Sequence, residues 1–296
     1  MKHLYLFTVV MSCGFFGGIS QTYATDTLTK IKERGAIVIG HRDSSIPMSY
    51  TANGQVLGYA IDVCKSVVDV IKAEHHLPDL RVEYQVVNAK KRMSDLNDGK
   101  IDMECGSTIH TMFRQKQVDF SINYFVSEVR MLVRANSGLR SFADLNGRTV
   151  VTTEGVTADK YIKQNAKGAQ IDVKHVYGQD DAESFAIFEL GQADAFILDE
   201  NALVGFIHQS VRPKRFEVVG PVLSVGPYGV MFAKDDARMK LLVDRVIISM
   251  WTSGQMDKLY KKWFLSAIPP QSLPLNLPKS ESFKRLEAHP NDSGVI

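Results

Sequence analysis

The chain is short of the residues that most catalytic and metal-binding motifs need. Only three cysteines occur in 296 residues, at positions 13, 64 and 105, and their spacing matches no zinc motif. HExxH, GxSxG and a phosphate-binding glycine loop are missing, so nothing points to a metallopeptidase, an α/β-hydrolase or a nucleotide-binding site. His110, His175 and His208 are scattered and read as surface or packing residues. No metal or cofactor is expected. An excess of one charge sign is missing too: 35 basic residues face 33 acidic ones, a net charge of +2. That argues against nucleic acid as a partner, because phosphate recognition needs a concentrated basic surface. Past the N-terminus, no segment reaches the roughly 18 consecutive apolar residues of a membrane span.

The first 24 residues differ from the rest. A Lys2-His3 start, an apolar stretch from Leu4 to about Met11, a second around Gly14–Ile19 and the small-residue ending at Ala24 read as a secretory signal peptide. The expectation is export to the periplasm. A second reading retains Cys13 as a lipid anchor, since "VMSC" is a loose lipobox. Export also permits a disulfide between Cys64 and Cys105, although two buried thiols fit the sequence equally well.

What is present is an alternation of short β-branched runs with amphipathic helical patterns. Strands are expected at 36–40, 81–87 and 101–106, with helices at 58–75 and 90–97 between them. A second set restarts with strands at 148–153, 171–178, 193–199 and 216–220, and helices at 157–165, 181–191 and from Glu200. Two extended runs, 124–134 and 222–234, join the sets. A helical pattern broken at Ser253-Gly254 follows, and the proline- and serine-rich stretch from Ile268 reads as a loosely packed tail. The fold class is α/β: two parallel-type sheets flanked by helices, in two lobes joined by two hinge crossings. Residues 25–125 with 222–296 would form one lobe and 126–221 the other. Ligands of such sheets sit beyond the carboxyl ends of the strands, here in a cleft that hinge closure can shut.

Polar residues gather at those ends. Arg42 follows the first strand, Arg92 the second, and Ser107 and Arg114 the third. Thr157, Asp181 and Asp199 follow strands of the second set. Each has an ordinary alternative, since an arginine past a strand is usually solvated and Thr157, Asp181 and Asp199 could be plain helix caps. Together they describe an amino-acid site. Arginine forks and a helix N-terminus suit a carboxylate, an aspartate suits an ammonium, and spare arginines suit a second anion.

The blocks "IVIGHRDSSIPMSY", "GKIDMECGSTIHTMFRQKQVDFS", "FADLNGRTVVTTEGVTAD" and "KWFLSAIPP" resemble the periplasmic glutamate/aspartate-binding proteins of bacterial amino-acid ABC transporters, members of solute-binding protein family 3 with the type II periplasmic binding fold. The similarity runs from about Thr27 into the tail. It implies that Arg114 and Thr157 hold a ligand α-carboxylate, Ser107 and Asp199 its ammonium, and Arg42 and Arg92 its side-chain carboxylate. It also implies a free amino acid and permease subunits as partners, with the protein acting as a monomer. The chain departs from the pattern at Ala89, where the family has serine, at Ile109, where threonine is expected, and at Asp181, where the family has histidine. A neutral amide such as glutamine or asparagine therefore fits as well as an acidic ligand. Periplasmic cyclohexadienyl dehydratases look similar and give the alternative reading, an enzyme whose general acid would be Glu104 or Asp181.

Overall fold

The computed structural model describes residues 26–296, so the expected signal peptide and Cys13 lie outside the described residues. Two five-stranded sheets organise the chain. In the first, strands run in the order Arg81–Val86, Ala36–His41, Met103–Cys105, Met231–Ala233, Val118–Phe120. The first three are parallel, and Met231–Ala233 runs antiparallel to both its neighbours. The second sheet has the order Val173–Gly178, Arg148–Thr153, Ala195–Asp199, Phe125–Arg134, Phe216–Tyr228. Its first three strands are parallel and the last two join antiparallel. The parallel character expected from the alternation thus covers three strands of each sheet. The extended crossing runs supply the antiparallel pairings, while Val118–Phe120, antiparallel to Met231–Ala233, shares the direction of the first three strands.

Strand period and burial agree. In Ala195–Asp199, Ala195 and Ile197 enter one apolar cluster while Phe196 and Leu198 enter the cluster on the opposite face, as a strand buried on both sides requires. The helix Tyr59–Glu74 buries Ile61, Cys64, Val67, Val68 and Ile71, the three- and four-residue spacing of one helix face. Cys64 of that helix and Cys105 at a strand end form a disulfide with Cα atoms 6.3 Å apart. The question left open by the sequence is answered by a link between helix and sheet.

The crossing strands pair from Phe125 opposite Tyr228 to Arg134 opposite Phe216, with a register shift between Val219 and Ser224. Their Phe125–Tyr228 end is embedded in the large core cluster shared with the first sheet.

The tail corrects the expectation of a loosely packed end. Ser280 caps a helix, Glu281–Ala288, by accepting from the Phe283 N–H at 3.1 Å. Phe283 is 1% exposed, with ring centroids of Tyr260 and Phe125 at 4.7 and 5.4 Å. Lys279 pairs with Asp257 and Glu287 at 2.8 and 2.7 Å. Ser282 donates to Glu128 of the crossing strand at 2.9 Å. Beyond the helix, Val295 exchanges backbone hydrogen bonds with His110 and Met112. Composition suggested solvent, but the spacing of Phe283 and Leu286 is a short amphipathic face, and burial of that face decides the outcome.

Candidate functional site

The first strand buries Ile37 and Ile39 and delivers Arg42 just past its end. Ser49 fixes the turn there. Its hydroxyl accepts from the Arg42 N–H at 2.9 Å and also lies 3.3 Å from the Arg42 carbonyl. The Arg42 guanidinium then reaches Asp181 of the second sheet unit at 3.3 Å, and Ser45 donates to the same carboxylate oxygen at 3.2 Å. Arg92, the first residue of the helix Arg92–Asn97, is fully buried. Its Nε has no hydrogen-bond partner among the described residues. Arg114 donates to the Ile109 carbonyl at 2.7 Å and to the Gly155 carbonyl at 3.1 Å, so it too touches both units.

On the opposing side, none of the three helix-start residues serves as a plain side-chain cap. Thr157 is the first residue of Thr157–Ala169, whose N-cap, Val156, makes no side-chain cap bond. Those first N–H groups have no capping side chain and suit an anion. Asp181 opens Asp181–Glu189, but Asp180 does the capping. Asp199 stands at the N-cap of Glu200–Gln209 without making a side-chain cap bond.

Arg42, Arg92, Ser107, Arg114, Thr157, Asp181 and Asp199 all line one narrow cavity, with about 10 Å³ of free space. Ile109, one of the departures, lines it as well. Ala89 does not line it but lines the adjoining larger cavity, with its backbone 3.6 Å from where a side chain on Gly155 would begin. A larger and more apolar cavity of about 500 Å³ adjoins it and shares Ile109, Arg114, Val156 and Thr157. Size favours the larger cavity, but the concentration of buried charge and unpaired polar atoms makes the smaller one the candidate site.

Glu104 was missed as part of this electrostatic set. It is wholly buried on the strand Met103–Cys105, and Arg92, Arg42 and Arg114 all act on its charge. Burial still raises its pKa above the usual carboxylate value. Gly106 makes room for it, since a Cβ there would collide with the Glu104 carboxylate and lie 3.0 Å from Arg42 Cγ. The available signal was an acid inside an apolar strand followed at once by glycine. Burial, with Arg114 adding to it, brings Arg92 down to about 9. Burial pushes Asp199 up to about 7, with the charge of Asp181 contributing in the same direction. Arg114 is lowered by burial as well. His110 stacks on Phe120 at 4.2 Å and pairs with Asn123, a packing role. Among the described residues no His/Cys/Asp/Glu group suits a metal ion, and no helix is long and apolar enough to cross a membrane.

Guanidinium groups on one side, carboxylates and a helix N-terminus on the other, and a cavity at the strand ends of two sheets describe a two-lobed binding protein for a small zwitterion. Comparison with known proteins gives the family. The chain belongs to the bacterial extracellular solute-binding proteins, family 3, whose model matches residues 37–266. It is 41% identical to the L-glutamate/L-aspartate-binding protein of Pseudomonas aeruginosa over 92% of this chain and 90% of that one. It is 35% identical to the glutamate/aspartate import solute-binding protein of Escherichia coli over 97% of each. Among solved structures, an ancestral arginine-binding protein bound to glutamine superposes with a TM-score of 0.70 at 27% identity, covering 78% of this chain and 98% of that one.

Proposed function

We propose that this protein captures a free polar α-amino acid, of the glutamate/aspartate type or a related amide, in the interlobe cleft. It hands that ligand to the permease of an ABC importer. The observation that carries the reading is the convergence of three arginines, two aspartates, Ser107 and Thr157 on one buried cavity. Arg114 and the open helix start at Thr157 take the α-carboxylate. Asp199 and Ser107 take the ammonium. Arg42, Arg92 and Asp181 face the side chain. The names of the relatives supply the ligand class and the importer.

The protein works without catalysis, as a monomer, after export directed by residues 1–24. The lobes are residues 25–125 with 222–296, and 126–221. These limits fall at the start of one crossing strand and inside the other. A thermal-shift panel of the twenty amino acids tests the reading: one polar amino acid should raise the melting temperature by several degrees. A flat panel defeats it.

A further inference from the structure

The side-chain end of the cavity carries two unmet demands of opposite kind. Asp181 is 3% exposed. Its Oδ2 receives Arg42 and Ser45, but its Oδ1 is buried without a donor. Arg92 Nε is likewise buried without an acceptor among the described residues, and Arg92 lines the same cavity. Leaving such groups unpaired is costly, more so for charged ones. The ligand that belongs here brings one donor and one acceptor on a single small group.

Formal charge narrows the choice. Three guanidinium groups, Arg42, Arg92 and Arg114, stand against three carboxyl groups, Glu104, Asp181 and Asp199. A zwitterion with a neutral side chain leaves that balance intact. A side-chain carboxylate offers only acceptors and meets Asp181 Oδ1 with like charge. A cationic side chain satisfies Asp181 but leaves Arg92 Nε unpaired. An apolar side chain satisfies neither. A carboxamide presents an NH2 to Asp181 and a carbonyl oxygen to Arg92.

We infer that Asp181 makes this site select a neutral amino acid with a side-chain carboxamide, glutamine or asparagine, over the corresponding acid. The inference rests on the proposed amino-acid site and specifies which ligand class it takes. Titration calorimetry of the full chain with glutamine, asparagine, glutamate and aspartate at neutral pH reads it directly. An amide should bind at least tenfold more tightly than its matching acid, and Asp181→Asn should shrink that ratio at least tenfold by removing the charge and adding a donor. Tighter binding of glutamate or aspartate to the unaltered protein overturns the inference while leaving the proposed function standing. No binding by any of the four, together with a flat twenty-amino-acid panel, removes the proposed function itself. An amide preference that Asp181→Asn leaves unchanged overturns the role of Asp181. The ranking in the unaltered protein decides the ligand class even where the variant does not fold.

Discussion

The two sheet units meet at the candidate site with opposite charge and different support. The first contributes Arg42, Arg92 and Arg114, all at least 94% buried, with Glu104 as countercharge. A disulfide ties it together, and the C-terminal helix packs between Trp251 and Tyr260 of its core and Phe125 at the near end of a second-sheet strand. The second contributes Asp181, Asp199 and a helix start, carried by a sheet with a separate apolar cluster on each face and no disulfide among its described residues. Three cations held close together repel one another, so their half needs anchoring before any ligand arrives. The carboxylate half has Asp181 paired where it meets Arg42 of the other.

The comparison can be broken at its anchors first. Phe283→Ala should lower stability by about 3–5 kcal/mol, as expected for emptying an aromatic core position, read by urea denaturation. Hydrogen exchange should show the loss near Trp251 and Tyr260 before Ala195–Asp199. Equal loss in both sheets would mean that the units do not differ in support. Serine at both Cys64 and Cys105 opens a link across 41 residues and should cost roughly 3–4 kcal/mol, again felt first in the first sheet. Removing one cation from the site itself should do less to folding and more to binding. Arg114→Ala should weaken every amino acid by about 2–3 kcal/mol, or roughly 30- to 150-fold. Unchanged affinity would show that another group holds the α-carboxylate.

The smallest effect is a pH dependence from the anionic half. With its pKa raised to about 7 by burial, Asp199 must release a proton to receive an ammonium below that pH. Affinity should therefore fall by up to about tenfold per unit, roughly 1.4 kcal/mol, as pH drops from 7 toward 5. In the ligand-free protein the sign reverses. The raised pKa gives a stabilising contribution that is full below the unfolded value of 3.8 and is lost as pH rises through about 7. Calorimetry at pH 5, 6 and 7 separates the two, and a constant affinity over that range would remove Asp199 from the ammonium site. Arg114, Arg92, Tyr228 and Asp181 all act on the same carboxyl group, so Arg114→Ala should move the profile upward in pH.

Much of this was legible in the sequence because strand ends are legible. The run Ile37-Val38-Ile39 fixed where Arg42 would emerge, and the restart at Arg148–Thr153 announced a second sheet facing the first. The seven site residues share one cavity for that reason. Their roles were carried by the family resemblance. Other features were hidden because they depend on distant partners. Glu104 becomes a countercharge only when three arginines from three separate segments close over it. Phe283 becomes core only when Phe125, Tyr260 and Trp251 gather around it. The antiparallel pairing of the crossings follows from the chain returning, which no local pattern encodes.

The place of one short strand also sets an order in time. Met231–Ala233 lies between Met103–Cys105 and Val118–Phe120 in the first sheet. The sheet that holds the arginines therefore waits for a piece made after the whole second sheet. As the chain emerges from its N-terminus, the carboxylate half can assemble from contiguous sequence, while the cationic half stays unfinished until residue 233 and the helix behind it arrive. The half that comes first in the sequence is the last to be completed, so the two faces of the candidate site are finished in the reverse of their order along the chain.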